Sequence, residues 1–167
     1  MAVDLYPSQS GTSVLKAYGR QVRTAGNLSI NSGGSWANLP SLSTIVMTAA
    51  TGDLIEVGMN GLWDTQNVEV GLDVVTWVGG APVNYLSGGG GGASDQGVAG
   101  WRSAYVTSNI QPFGGSVIYV LQAGDISAGQ VTLQVRYRSF TSTLKTLYAT
   151  TALPLHFWAK NFGAAPA

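Results

Sequence analysis

A chain of 167 residues with zero formal net charge, 10% charged residues, 45% hydrophobic residues and a mean hydropathy of +0.17 suits one domain with a real core. Balanced charge leaves almost no counterion-release term for nucleic-acid binding, and zero cysteines exclude a disulfide framework or a thiolate metal site. So few charges solubilise a free surface poorly, which favours a protein that hides part of its exterior against its own copies or a larger assembly.

The start, MAVDLYPSQSG, carries Asp4 and Pro7 where an export signal needs basic residues and an apolar run, so none is expected. No apolar run reaches the roughly 18 residues of a membrane-spanning helix, so no membrane partner is expected. SVLKAYGRQVR at 13–23 is the one helix-like stretch, with Val14, Leu15, Tyr18 and Val22 near helical spacing. Gly19 interrupts it, and an extended arm is the other reading. Lys16, Arg20 and Arg23 are the basic residues of this region, too few to neutralise a genome and enough to dock on an acidic protein surface. Residues 1–26 are therefore read as an anchoring arm, with Tyr6, Lys16, Tyr18, Arg20 and Arg23 as its contacts.

From residue 27 the chain reads as strands: NLSI, STIVMTA, DLIEVGMNGLW, NVEVGLDVVTWV, WRSAYVT, SVIYVLQ, QVTLQVRYRSF and LHFWAKNF. Gly-rich turns separate them with no helical period between, which predicts an all-β, antiparallel sandwich or jelly roll of roughly eight strands. In DLIEVGMNGLW, Ile55, Val57, Met59 and Gly61 are expected to face the core, with Leu54, Glu56, Gly58 and Asn60 outside. In NVEVGLDVVTWV, Val68, Val70, Leu72 and Val74 alternate with Glu69, Gly71 and Asp73, and the carboxylates are expected on a solvated face. Gly58, Gly61 and Gly71 predict bulges, bends or close backbone approach. In QVTLQVRYRSF, Val131, Leu133, Val135 and Tyr137 point to a core, while Thr132, Gln134, Arg136 and Arg138 form a polar face that is shared rather than merely wet.

TGDLIEVGMNGLWD, then SVIYVLQAGDISAGQVTLQVRYRS, then a final LHFWAKNFG together resemble the trimeric jelly-roll heads of the tumour-necrosis-factor and complement-globular-head type, also found in bacteriophage decoration, head-fibre and tail-fibre proteins. The resemblance covers about residues 27–163, and DISAG departs from it by inserting residues at a turn. It implies a single jelly-roll head over 27–163, followed by a tail at 164–167, and a homotrimer packed around a threefold axis. Gln134, Arg136, Tyr137, Phe157 and Trp158 are the expected subunit contacts, aromatics supplying area and Arg directional hydrogen bonds. The other reading puts Phe157 in the core and Arg136 on a solvated edge.

Catalytic signatures are sparse. His156 is the single histidine, so a His-ligated metal cluster is impossible, and no nucleophile elbow, P-loop or HExxH occurs. Asp53, Glu56, Asp64, Glu69 and Asp73 crowd one region, where a carboxylate pair or a calcium site are alternatives to plain solvated charge. LSGGGGGASDQG at 86–97 has no Lys and opens no helix, so it is a flexible loop rather than a phosphate cradle. Flanking Trp77, Tyr85 and Trp101 are placed where an aromatic platform would meet a sugar, with Asp95 and Gln96 of the loop as further ligand-facing candidates, although core placement is the commoner fate of strand aromatics.

The sequence thus predicts a non-enzymatic virion structural protein without cofactors, assembled in the host cytoplasm, as a bacteriophage capsid decoration or head-fibre homotrimer on a major capsid or other virion protein. The alternative is a receptor- or glycan-binding tail-tip module facing a host-surface glycan. A polysaccharide-degrading enzyme using the acidic cluster is the third class.

Overall fold

The structure is a computed structural model and describes residues 15–40, 42, 44–64, 70–86, 101–102, 110–139 and 144–165. Among these, the chain is β apart from a one-turn 3-10 helix at Ala123–Asp125. The strands are β1 (Ala17–Arg23), β2 (Leu28–Ile30), β3 (Ala37–Asn38), β4 (Ile45–Thr48), β5 (Asp53–Asp64), β6 (Val70–Val78), β7 (Ala81–Tyr85), β8 (Trp101–Arg102), β9 (Ile110–Val120), β10 (Ile126–Ser127), β11 (Gln130–Ser139), β12 (Lys145–Tyr148) and β13 (Leu155–Ala164).

Several short strands run end to end along one neighbour. β13 and β12 both pair antiparallel with one edge of β5, and β9 takes the other edge. One step further out, β1 lies on β13 and β2 on β12. In the second sheet, β4 and β3 share one edge of β11, β6 takes the other, and β7 and β8 share the far edge of β6. Taking β1/β2, β3/β4, β5, β6, β7/β8, β9, β11 and β12/β13 as lanes A to H in chain order, one sheet reads A-H-C-F and the other B-G-D-E. Most successive lanes therefore lie in opposite sheets, the double Greek key of a jelly roll. The predicted fold class, an all-β antiparallel sandwich, is the one observed.

The core lies between the sheets. β5 divides its faces as its alternation predicts, with Ile55, Val57, Met59 and Trp63 buried and Glu56 and Asn60 turned outward. Facing them are Leu72 and Val74 of β6 and Val131, Leu133 and Val135 of β11. Each such side chain contributes about 1.5–3 kcal/mol by leaving water, so a one-residue slip of either central strand is ruled out.

Residues 17–23 are neither a helix nor an arm. β1 pairs with β13 over its whole length, from Ala17 opposite Asn161 to Arg23 opposite Leu155. The Lys16 amide already donates to the Asn161 carbonyl at 2.7 Å. Gly19 faces inward, where Ile45 of β4 fills the space a Cβ would take, so a small residue is required at this sheet-to-sheet contact. The head therefore begins by residue 16 rather than at 27.

One further expectation narrows to one of its alternatives and another changes. β5 pairs with β9 from Leu54 to Asp64 without a register shift, so Gly58 and Gly61 mark close approach and not bulges: Trp158 covers the first, Leu155 and Phe113 the second. On β6, Asp73 does face away from the core, yet it is 0% exposed instead of solvated. Its cross-strand neighbour Arg136 reaches over that face and ties down Tyr85 and Trp36.

The stretch after β9 contains two linked turns. The Gln122 amide donates to the Asp125 carboxylate at 2.7 Å and the Asp125 amide returns a bond to the Gln122 carbonyl at 3.1 Å. β10 and β11 then form a hairpin through Ala128 and Gly129, both at positive φ (50° and 72°), as the favoured two-residue hairpin turn demands.

Candidate functional site

Three carboxylates that seemed clustered along the chain are separated by the fold. Asp53 opens β5 and is buried, accepting from Lys16 Nζ at 2.6 Å, Asn161 Nδ2 at 2.8 Å and the Ala50 amide at 2.8 Å. Burial opposes its ionisation, but those three bonds to the charged form hold its pKa below the usual value. Glu56 points outward from the same strand to Lys160 Nζ at 2.9 Å, and bonds from Lys160 and Ser116 lower its pKa. Asp73 belongs to the other sheet. Glu69 lies outside the described residues, and among those described no group of three metal-ligating side chains forms.

A fourth carboxylate, which sequence reasoning passed over, accepts four hydrogen bonds. Asp125 is fully buried and accepts from Thr76 Oγ1 (2.5 Å), Asn84 Nδ2 (2.8 Å), Tyr119 Oη (3.1 Å) and the Gln122 amide. It joins β6, β7 and β9 at one end of the sandwich. Burial, then the adjacent Asp125 charge, pushes the Tyr119 phenol up to about 12. This node ties the strands together through bonds made within the chain.

The expected subunit contacts scatter over three places. Phe157 is fully buried and Tyr137 is buried with its hydroxyl on the Asn31 carbonyl at 3.2 Å, so neither presents surface to a partner. Arg136, on the outer face of the B-G-D-E sheet, donates to Tyr85 Oη at 2.6 Å and to the Trp36 carbonyl at 2.5 Å, so bonds expected to cross a subunit boundary are made within the chain. Tyr85 stacks at a tilt on Trp36, ring centroids 5.5 Å apart, and is thereby part of that cover. Gln134, half-buried on the same face, donates to the neighbouring Val135 carbonyl at 3.2 Å. Trp158 alone of the five lies on the outer face of the A-H-C-F sheet.

There it meets residues expected to serve the arm. Strand register sets Tyr18 beside Lys160, Arg20 beside Trp158 and Val22 beside His156, with Glu56, Gly58 and Asn60 next in line on β5. Atoms of the Trp158 six-membered ring occupy the space above Gly58. Tyr18, Arg20, Asn60, His156, Trp158 and Lys160 line an open groove of about 340 Å³. Asn60 and His156 also line a second groove of about 370 Å³, together with Leu62, Pro112, Phe113, Leu153 and Pro154. Burial and then the Arg20 charge lower the His156 pKa, keeping the imidazole neutral at pH 7. No nucleophile hydrogen-bonds to His156 among the described residues, so the grooves show binding groups and no catalytic pair.

Of the other expected contacts, Lys16 is committed to Asp53 and Arg23 Nε donates to the Gly26 carbonyl at 2.5 Å. The backbone of Trp101 pairs with Leu72 in β8. Tyr6, Asp95 and Gln96 lie outside the described residues.

Beyond the grooves, lane F is apolar and open. Ile110, Ile118 and Val120 are exposed, Ile118 to 69%, and among the described residues the second edge of β9 pairs with no strand.

No protein-family model matches the chain, and no curated protein matches it. Among solved structures, it is similar to a chain in the structure of infectious bursal disease virus Gx strain, with a TM-score of 0.46, 10% identity, and coverage of 90% of this chain and 38% of that one. A chain of the T13 particle of the same virus gives a TM-score of 0.42 at 13% identity, covering 99% of this chain and 40% of that one. This chain spans about two fifths of the length of each.

Proposed function

We propose that the chain is a non-enzymatic virion structural protein, a jelly-roll subunit that works by assembly. The observation that carries this reading is lane F: an eleven-residue strand, unpaired on one edge among the described residues, that exposes Ile110, Ile118 and Val120 in a chain with only 10% charged residues. Long apolar edges of this kind are normally covered, because their free backbone groups and side chains recruit another surface. In this reading the cover is a second copy, the assembly is a homotrimer, and the placement is a bacteriophage capsid decoration or head fibre held on the shell through the residues ahead of β1.

Light scattering on the purified chain should give three chains per particle at micromolar concentration. Ile118→Glu, an exposed position where the fold itself loses little, should shift that mass toward one chain. A monomeric parent protein, or an unchanged mass in the variant, would remove lane F as the interface. The second reading, a receptor- or glycan-binding tail module, draws on the groove over Trp158.

A further inference from the structure

We propose that the groove over Trp158 binds a pyranose carrying a carboxylate, its ring stacked on the indole and its carboxylate held by Arg20. The floor is the first argument. Gly58 lets the six-membered ring of Trp158 settle against β5, and the same residue lines the groove. Such a floor is rigid and apolar, and it matches the C–H face of a sugar ring, as a base stacks on an aromatic side chain.

The second argument is the supply of unused hydrogen-bonding groups. Among the described residues, the Tyr18 hydroxyl, the Arg20 guanidinium, the Asn60 amide and the Trp158 indole N–H make no hydrogen bond, although all line the same groove. Neutral His156 adds one donor and one acceptor, the pair that a sugar hydroxyl satisfies.

Charge decides the class of sugar. Lys160 is matched by Glu56, so among the described residues Arg20 is the charge of the groove without an ion-pair partner, and no carboxylate of those residues lines it. A planar guanidinium pairs with a carboxylate through two parallel bonds. At about 340 Å³ the space stands at the small end of ligand sites and fits one or two rings, with the second groove as its extension.

The test uses full-length protein, ligand-observed saturation-transfer NMR, and three probes: trigalacturonate, its methyl ester and sialyllactose. At least one acidic probe should bind saturably, and trigalacturonate about tenfold more tightly than its ester. Arg20→Gln, at an exposed position on β1, should erase that preference while the melting temperature stays put. Trp158→Ala should abolish binding, and Asn60→Ala, exposed and outside the core, should weaken it should the Trp variant not fold. Failure of both acidic probes to bind, an unchanged acid preference in Arg20→Gln, or undiminished binding in Asn60→Ala would each overturn the proposal. A Trp158→Ala protein that changes oligomeric mass without changing sugar binding would reassign the groove to a subunit contact.

Discussion

Trp158 and Gly58 sit opposite each other on neighbouring strands, and the indole occupies the volume where any other residue at 58 would carry its Cβ. Gly58→Ala must therefore push the ring out of place or part the strands. Overpacking of this kind costs about 1–3 kcal/mol. A lower midpoint in urea together with altered tryptophan fluorescence is the expected outcome; an unchanged midpoint would mean that the ring moves freely.

Removal of residues 1–26 should damage the fold instead of freeing a head. The deletion strips β1, leaves one edge of β13 unpaired, uncovers Ile45 at its contact with Gly19, and takes Lys16 from Asp53. Size-exclusion chromatography and circular dichroism should show an unstable or aggregated product. A soluble protein of undiminished stability would restore the boundary at residue 27.

Acid sensitivity should track Asp53. Its folded pKa lies below the ordinary value despite burial, because Lys16, Asn161 and the Ala50 amide bond the charged form. The unfolded chain therefore binds the proton first, so the stabilisation is complete above about pH 4 and is lost as pH falls through the folded value. Urea midpoints of the parent protein should drop as the pH falls below about 4, and Asp53→Asn, less stable at pH 7, should show a shallower drop over the same range.

The hairpin at Ala128–Gly129 offers a gain. Ala128 holds φ at 50°, where an L-residue with a Cβ pays about 1 kcal/mol and Asn pays less. Ala128→Asn should raise stability by roughly 0.5–1 kcal/mol in chemical unfolding.

What could be read from the chain was the local pattern. β5 announces its buried face because the apolar positions repeat every second residue and its partners fill both edges. β1 hid for the opposite reason: its inward positions are Ala17, Gly19 and Gln21, and its bulkier apolar residues, Tyr18 and Val22, point out, so alternation gave no strand and the spacing imitated a helix. Asp73 looked solvated because Arg136, Tyr85 and Trp36, distant in sequence, supply its cover. Trp158 was visible as an aromatic candidate for a surface role, but its groove was not, since β1, β5 and β13 meet only after the jelly roll closes. Asp125 carried a faint signal, an A-G-D turn matching A-T-G-D at Asp53, whose Gly52 and Asp53 exchange backbone bonds with Leu121.

The pairing of β1 with β13 also orders events in time. β1 is made before the strand that receives it, with β2 to β12 between the two. Closing so long a loop gives no return until β13 exists, so sheet A-H-C-F is completed last. Until then Gly19 has no lane beside it, β5 carries a bare edge, and the groove has neither Trp158 nor His156, both of which stand on β13. A binding surface made this way exists only on finished subunits, and a truncated chain cannot display it.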